Sequence, residues 1–108
     1  MISVVQRQAY AVPVDIESVR RAWAAEGFSF GKFRDPPGQA WNDFVHDRDE
    51  YALVAEGEMA ITVGGESFEA VAGDLVRIPR GTSHSLRTLS TSGSVWLYGY
   101  GFWERGND

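Results

Sequence analysis

Two histidines, His46 and His84, are the only imidazoles in a chain of 108 residues, and both sit in turn-rich surroundings. His46 lies in the stretch FVHDRDE, four residues ahead of Glu50, and His84 lies in IPRGTSHSLRT. Imidazole nitrogens and carboxylate oxygens are ligands for divalent ions, but one extended strand cannot wrap an ion. The donors must therefore converge from separate elements. A bend across Asp47, Arg48 and Asp49 would let His46 and Glu50 point to one side, and the Pro79-Arg80-Gly81 corner would redirect the chain just before His84. Two histidines and one carboxylate form the donor set of facial-triad iron sites and several zinc sites, with positions left open for water or substrate. The plainer alternative is a pair of solvated turn histidines with Glu50 as one more loop charge.

Composition narrows the chemistry. The chain has no cysteine, which removes disulfides, thiolate ligands and a cysteine nucleophile together. A net charge of −5 argues against nucleic acid and against anionic membrane surfaces as partners. No apolar run approaches membrane-spanning length and no leader pattern opens the chain, so a cytoplasmic location is the expectation. There is no phosphate-cradling glycine loop, no G-x-S-x-G elbow and no H-E-x-x-H helix. Ser83 and Ser85 flank His84 without an evident acid to complete a nucleophile's relay.

The elements that must position the histidines read as mostly strands. With 44% hydrophobic residues and 14 aromatics, the chain can build a genuine core, and its length fits one domain over residues 1–108. Residues 1–37 carry an edge strand in SVVQRQAYAV and then a helix of about three turns. In that helix Ile16, Val19, Ala22 and Trp23 share a stripe, Asp15 caps the start and Gly27 closes the end. FSFGKF predicts a short strand and RDPPGQ a loop. From residue 41 onward short strands alternate with turns: EYALVA, EMAITV, ESFEAV, LVRIP and SHSLRTL, then SVWLYGYGF as a C-terminal strand over about 94–103. Many short strands at this spacing predict a sandwich or barrel. Asp47, Asp49, Glu56 and Glu58 read as surface charges, and ERGND as a frayed tail. Trp96, Tyr98, Tyr100 and Phe102 alternate along one strand face, a pattern that marks core or dimer interface more often than a substrate cage.

The spacing across 38–88 resembles the two motifs of the cupin family, G(X)5HXH(X)3-4E(X)6G and G(X)5PXG(X)2H(X)3N. The first reads Gly38, Phe44, His46, Glu50, Gly57, and the second reads Gly73, Pro79, Gly81, His84, Thr88. Eight of the ten defined positions match. The glycines suit turns of positive φ, and Pro79 ends a strand without needing a donor. The resemblance implies an all-β fold, a small double-stranded β-helix (jelly-roll or cupin barrel) with one short N-terminal helix. It also implies a divalent metal (iron, manganese, nickel or zinc) in the barrel mouth.

The family's first histidine is Phe44 here and its asparagine is Thr88, so the carry-over leaves three ligands, His46, Glu50 and His84. Asn42 shares strand parity with Phe44 and His46 and is a candidate fourth ligand, with water the stronger one. Trp41, Asn42, Phe44, Thr88, Trp96 and Tyr98 are the expected pocket residues for a small-molecule ligand. Arg77, Arg80 and Arg87 are available to an anionic substrate, or are simply solvated. The leading expectation is a stand-alone, metal-binding cupin acting on a small polar molecule such as a keto acid, an enol or a modified sugar. Dioxygenase and isomerase are its candidate reactions. The alternatives are a non-catalytic binding or sensing barrel, with or without metal, and a metal-free barrel retained for assembly. The resemblance further implies a homodimer, with the N-terminal strand as the edge most open to exchange.

Overall fold

A computed structural model describes residues 4–103, and among these it shows two facing antiparallel sheets and one helix. The first sheet runs in the order β1 (Val5–Gln6), β7 (Leu75–Ile78), β4 (Asp49–Glu56), β9 (Ser94–Gly101), β2 (Gly31–Asp35). The second runs β3 (Ala40–Phe44), β8 (His84–Thr88), β5 (Glu58–Val63), β6 (Glu66–Val71). This is the small β-barrel the spacing predicts. The expected tail, Glu104–Asp108, lies outside the described residues. Among the described residues no helix is long and apolar enough to cross a membrane.

Strand β4 explains how the site is held. Its residues are buried from Asp49 to Ala55, and from Tyr51 to Ala55 they form an unbroken apolar run, as suits a strand covered on both faces. One face places Ala52 and Val54 between the sheets with Met59, Ile61, Val76 and Leu86. The opposite face places Tyr51, Leu53 and Ala55 under the helix α1 (Ile16–Ala25), whose Val19 and Trp23 are fully buried. Glu50 has the parity of Ala52 and Val54, and therefore points between the sheets. The same division runs along β9: Trp96 joins the inner cluster, while Val95 and Leu97 join the helix side. On that helix side a side chain at Gly99 would sit 2.8 Å from the Trp23 ring and collide with the Ser29 carbonyl, so only glycine leaves room for the helix layer.

Several local expectations are corrected. The N-terminal strand is two residues long, because Gln8 takes a left-handed conformation (φ 53°) and turns the chain. Buried Asp74 then receives Gln8 N–H at 3.0 Å and the Arg7 guanidinium at 2.8 Å, fastening β1 beside β7. Those donors, with the backbone N–H of Val71, outweigh burial and hold the Asp74 carboxyl below its ordinary value. Strand β2 starts at Gly31 and takes in Arg34 and Asp35, which the Pro-Pro-Gly punctuation assigned to a loop. On α1, Asp15 caps Ser18 N–H as expected, but Ala22 is exposed and off the packed stripe.

Candidate functional site

Three elements bring the candidate ligands together. His46 follows β3 in a loop, and its carbonyl accepts Gly81 N–H at 2.8 Å, which ties that loop to the Pro79-Arg80-Gly81 corner. Glu50 projects from β4, and His84 opens β8 directly after the corner. His84 Nε2 lies 3.2 Å from Glu50 Oε1, and His46 Nε2 lies 3.7 Å from the same oxygen. The donor atoms of all three residues fall within 4.8 Å of one another. His84 Nδ1 sits 3.1 Å from the Thr82 carbonyl; a carbonyl only accepts, so the ring proton belongs on Nδ1 and Nε2 faces Glu50.

The charges are poorly satisfied by the protein alone. Glu50 and His84 are buried, with relative exposures of 2% and 3%. Glu50 Oε1 is close to both imidazoles, but with the His84 ring proton on Nδ1 and His46 at 3.7 Å it has no hydrogen-bond donor. Burial by itself pushes the His84 pKa down, but the contact with Glu50 and the Thr82 carbonyl prevail and raise it. Tyr100 reaches His46 Nε2 with its hydroxyl at 3.4 Å. Burial first, and then the nearby Glu50 charge, push the Tyr100 phenol up to about 12, so it stays a neutral hydroxyl.

These residues suit a divalent ion. Two donors each about 2.0–2.2 Å from one ion at a tetrahedral angle lie roughly 3.4 Å apart. The Nε2–Oε1 separations of 3.2 and 3.7 Å bracket that value. A buried carboxylate oxygen with no hydrogen-bond donor is the other half of the fit, because a cation would satisfy it.

The site opens on a cavity of about 300 Å³ lined by Phe33, Trp41, Phe44, Leu86, Trp96, Tyr98 and Tyr100 together with the three candidate ligands. Trp41, Phe44, Trp96 and Tyr98 were expected there. Asn42 and Thr88 are not among the lining residues. The parity that aimed Asn42 inward fails because the β3–β8 register shifts between Trp41 and Phe44, with Asp43 at φ 57°; Asn42 is exposed. Thr88 is buried, and its hydroxyl is engaged with Ser94 at 2.7 Å. Phe44 pairs with His84 in the ladder and stacks on His46 at 6.0 Å between ring centres, so an aromatic face stands where the family's first histidine would be. Phe33, Leu86 and Tyr100 went unassigned to the pocket. For Tyr100 the alternation with Trp96 and Tyr98 was the available signal; Phe102, the next in that series, is instead exposed.

Among the described residues no lysine or arginine lines the cavity. Arg80 is drawn off by Asp49, 3.4 Å away, and Arg77 packs over the Tyr51 ring. Asp49, expected at the surface, is fully buried and accepts the backbone N–H groups of Arg80 at 2.8 Å and Trp103 at 2.7 Å. It thereby anchors the corner that aims His84. Asp49→Asn keeps the shape and one acceptor oxygen but surrenders the charge; we expect a loss of about 1–2 kcal/mol in urea unfolding. A change below about 0.3 kcal/mol would show that the corner does not depend on this carboxylate.

Comparison with known proteins places this geometry. The sequence matches the family model for the cupin domain over residues 31–100. It is 41% identical over 54 residues to quercetin 2,3-dioxygenase of Bacillus subtilis, covering 49% of this chain and 16% of that enzyme. It is 39% identical over 51 residues to an uncharacterized protein of Sinorhizobium fredii, covering 47% of this chain and 24% of that protein. The chain thus spans a quarter or less of the length of these two curated relatives. Among solved structures, a Thermus thermophilus protein 26% identical to this chain superposes with a TM-score of 0.64, over 70% of this chain and 74% of that one. A structure of oxalate oxidase shares the fold at 21% identity and a TM-score of 0.65, over 71% of this chain and 43% of that one.

Proposed function

This chain belongs to the cupin family, and we propose that it binds one divalent metal through His46, Glu50 and His84 and presents it to a small molecule held in the adjoining cavity. The observation that carries the reading is the buried Glu50 Oε1, which faces two imidazoles and has no hydrogen-bond donor. When bound, the ion would supply Lewis-acid polarisation of a ligand oxygen or a centre for dioxygen chemistry. The protein's own residues do the rest. His84 is held in orientation by Thr82, Phe44 closes the side where a further ligand would approach, and the neutral Tyr100 hydroxyl is placed to donate to a ligand oxygen.

Similarity to a quercetin 2,3-dioxygenase over half the chain supports a metal-dependent dioxygenase as the reaction class. A second reading, a binding or sensing barrel without turnover, is favoured by one observation: Phe44 leaves three protein ligands where the family motif supplies four. Oxygen uptake with bound substrate separates the two. A homodimer along a sheet edge belongs to the same proposal, with β1, β2, β3 and β6 as the terminal strands. Sedimentation of the native protein as a monomer would remove that part.

The test is metal content by mass spectrometry on tag-free protein beside a His46→Ala/His84→Ala double variant. The parent is expected to carry close to one equivalent and the variant less than roughly a tenth of that. If the parent stays empty after exposure to iron, manganese, nickel and zinc in turn, the metal-binding reading is wrong.

A further inference from the structure

We infer that the cavity takes a neutral, flat ligand of one or two fused aromatic rings bearing an oxygen substituent, in preference to a sugar or a keto acid. The inference rests on the reading of this cavity as the ligand site and specifies what fits it. Six of its ten lining residues are aromatic. Phe33 is the hub of that wall, with ring centres of Tyr98 at 5.0 Å, Trp41 at 5.2 Å and Trp96 at 5.3 Å. Phe44 stacks on His46, nearly parallel at 17° with ring centres 6.0 Å apart, and adds a further aromatic ring to the lining. Walls of this kind reward a planar π face through offset stacking and edge contacts, beyond the area they bury.

The polar groups are few and sit together. His46, Glu50, His84 and the Tyr100 hydroxyl form one polar cluster, which suits a ligand with a single oxygen-bearing edge. A sugar carries hydroxyls around its whole rim, and those against Phe33, Trp41 or Leu86 would be desolvated without partners. A keto acid brings a carboxylate into a cavity that no lysine or arginine among the described residues lines, so only the proposed ion would balance it, beside the carboxylate of Glu50; Arg48 packs against the Tyr100 ring, its Cζ 5.0 Å from the centroid. The volume, about 300 Å³, lies at the lower limit of ligand cavities and holds one or two rings.

The wall is also fixed before any ligand arrives. Asp35 Oδ2 accepts the indole N–H of Trp41 at 2.9 Å and that of Trp96 at 2.8 Å, so two of the largest lining rings are locked from behind. A preset aromatic slot selects by shape, since a ligand that must reorder it loses affinity.

The test compares 2-naphthol with trans-2-decalol, which has the same carbon skeleton and hydroxyl but no flat π face. Indole ¹⁵N–¹H signals of Trp41 and Trp96 in the full-length protein, metal-free and zinc-supplied, report binding. 2-Naphthol is expected to shift both signals and to bind at least roughly ten-fold more tightly than trans-2-decalol. Equal affinity for the two, no binding of 2-naphthol, or tighter binding of pyruvate or glucose would each overturn the inference. Zinc uptake is measured on the same samples. Uptake without aromatic preference sinks the ligand class alone, whereas aromatic preference without uptake upholds it and removes zinc as the site's ion.

Discussion

Replacing Glu50 with glutamine is expected to weaken divalent-ion binding by at least about a hundred-fold, while leaving the metal-free barrel as stable as the parent or more so at pH 8.5. The first half follows from chemistry. An amide oxygen is a poor replacement for a carboxylate beside an ion, and even partners one step removed from a metal typically contribute about 10–100-fold to affinity. The second half follows from Glu50's surroundings. Its side chain is 3% exposed, and Oε1 has no donor aimed at it, so the carboxylate is held at a cost that the fold alone does not recover. A residue that costs the empty fold and serves the loaded one belongs to function.

The pH dependence supplies the sign. His84 has a raised pKa in the fold, so its attraction to Glu50 stabilises the metal-free protein fully below the unfolded imidazole value of about 6.5. That contribution disappears as pH rises through the raised folded value. Metal uptake runs in the opposite direction, because an ion needs the unprotonated Nε2 and competes with the proton below that value. Glu50→Gln should therefore destabilise the metal-free protein at pH 5.5 and not at 8.5, while metal protection of the parent grows between the same two values. Urea midpoints at both pH values, with and without zinc, measure this. A variant that still binds metal at the parent's affinity, or that loses equal stability at both pH values, would show Glu50 to be structural.

The residues of this centre were legible because their signals are local. Strand parity with Ala52 and Val54 is enough to turn Glu50 inward, and a proline-glycine corner is enough to reset the chain before His84. Parity fails where the backbone leaves the ladder: Asp43 in a left-handed conformation breaks the count between Trp41 and Phe44, and Asn42 points away from the cavity. Burial of Asp35 and Asp49 was not legible at all. Asp49 reads as a surface charge and Asp35 as part of the RDPPGQ loop, and only pairing across 54 and 61 residues of chain, respectively, brings Trp103 and Trp96 to them. Thr88 shows the converse: its motif position suggested a pocket, but the hydroxyl is spent on Ser94. Spacing carries what a strand or a turn decides; it is silent on what topology delivers from elsewhere.

Asp35 is where that silence matters most for the pocket, and Asp35→Leu is expected to cost about 2–5 kcal/mol. One oxygen, Oδ2, receives both indoles, and the indoles come from different sheets, Trp41 from β3 and Trp96 from β9. Leucine fills similar space but accepts nothing, leaving two N–H groups without a partner at about 1–3 kcal/mol each. Asp35→Asn retains an amide oxygen and should cost less than half as much. Because both donors share one acceptor, the Trp41 and Trp96 indole resonances must move together in either variant, so the asparagine form carries the test if the leucine form does not fold. Movement of one indole alone, or a leucine variant within about 0.5 kcal/mol of the parent, would refute the shared clamp. What leucine could not do is hold two tryptophans from opposite sheets at a fixed angle. Affinity for 2-naphthol should accordingly fall in Asp35→Asn by more than its small loss of stability explains.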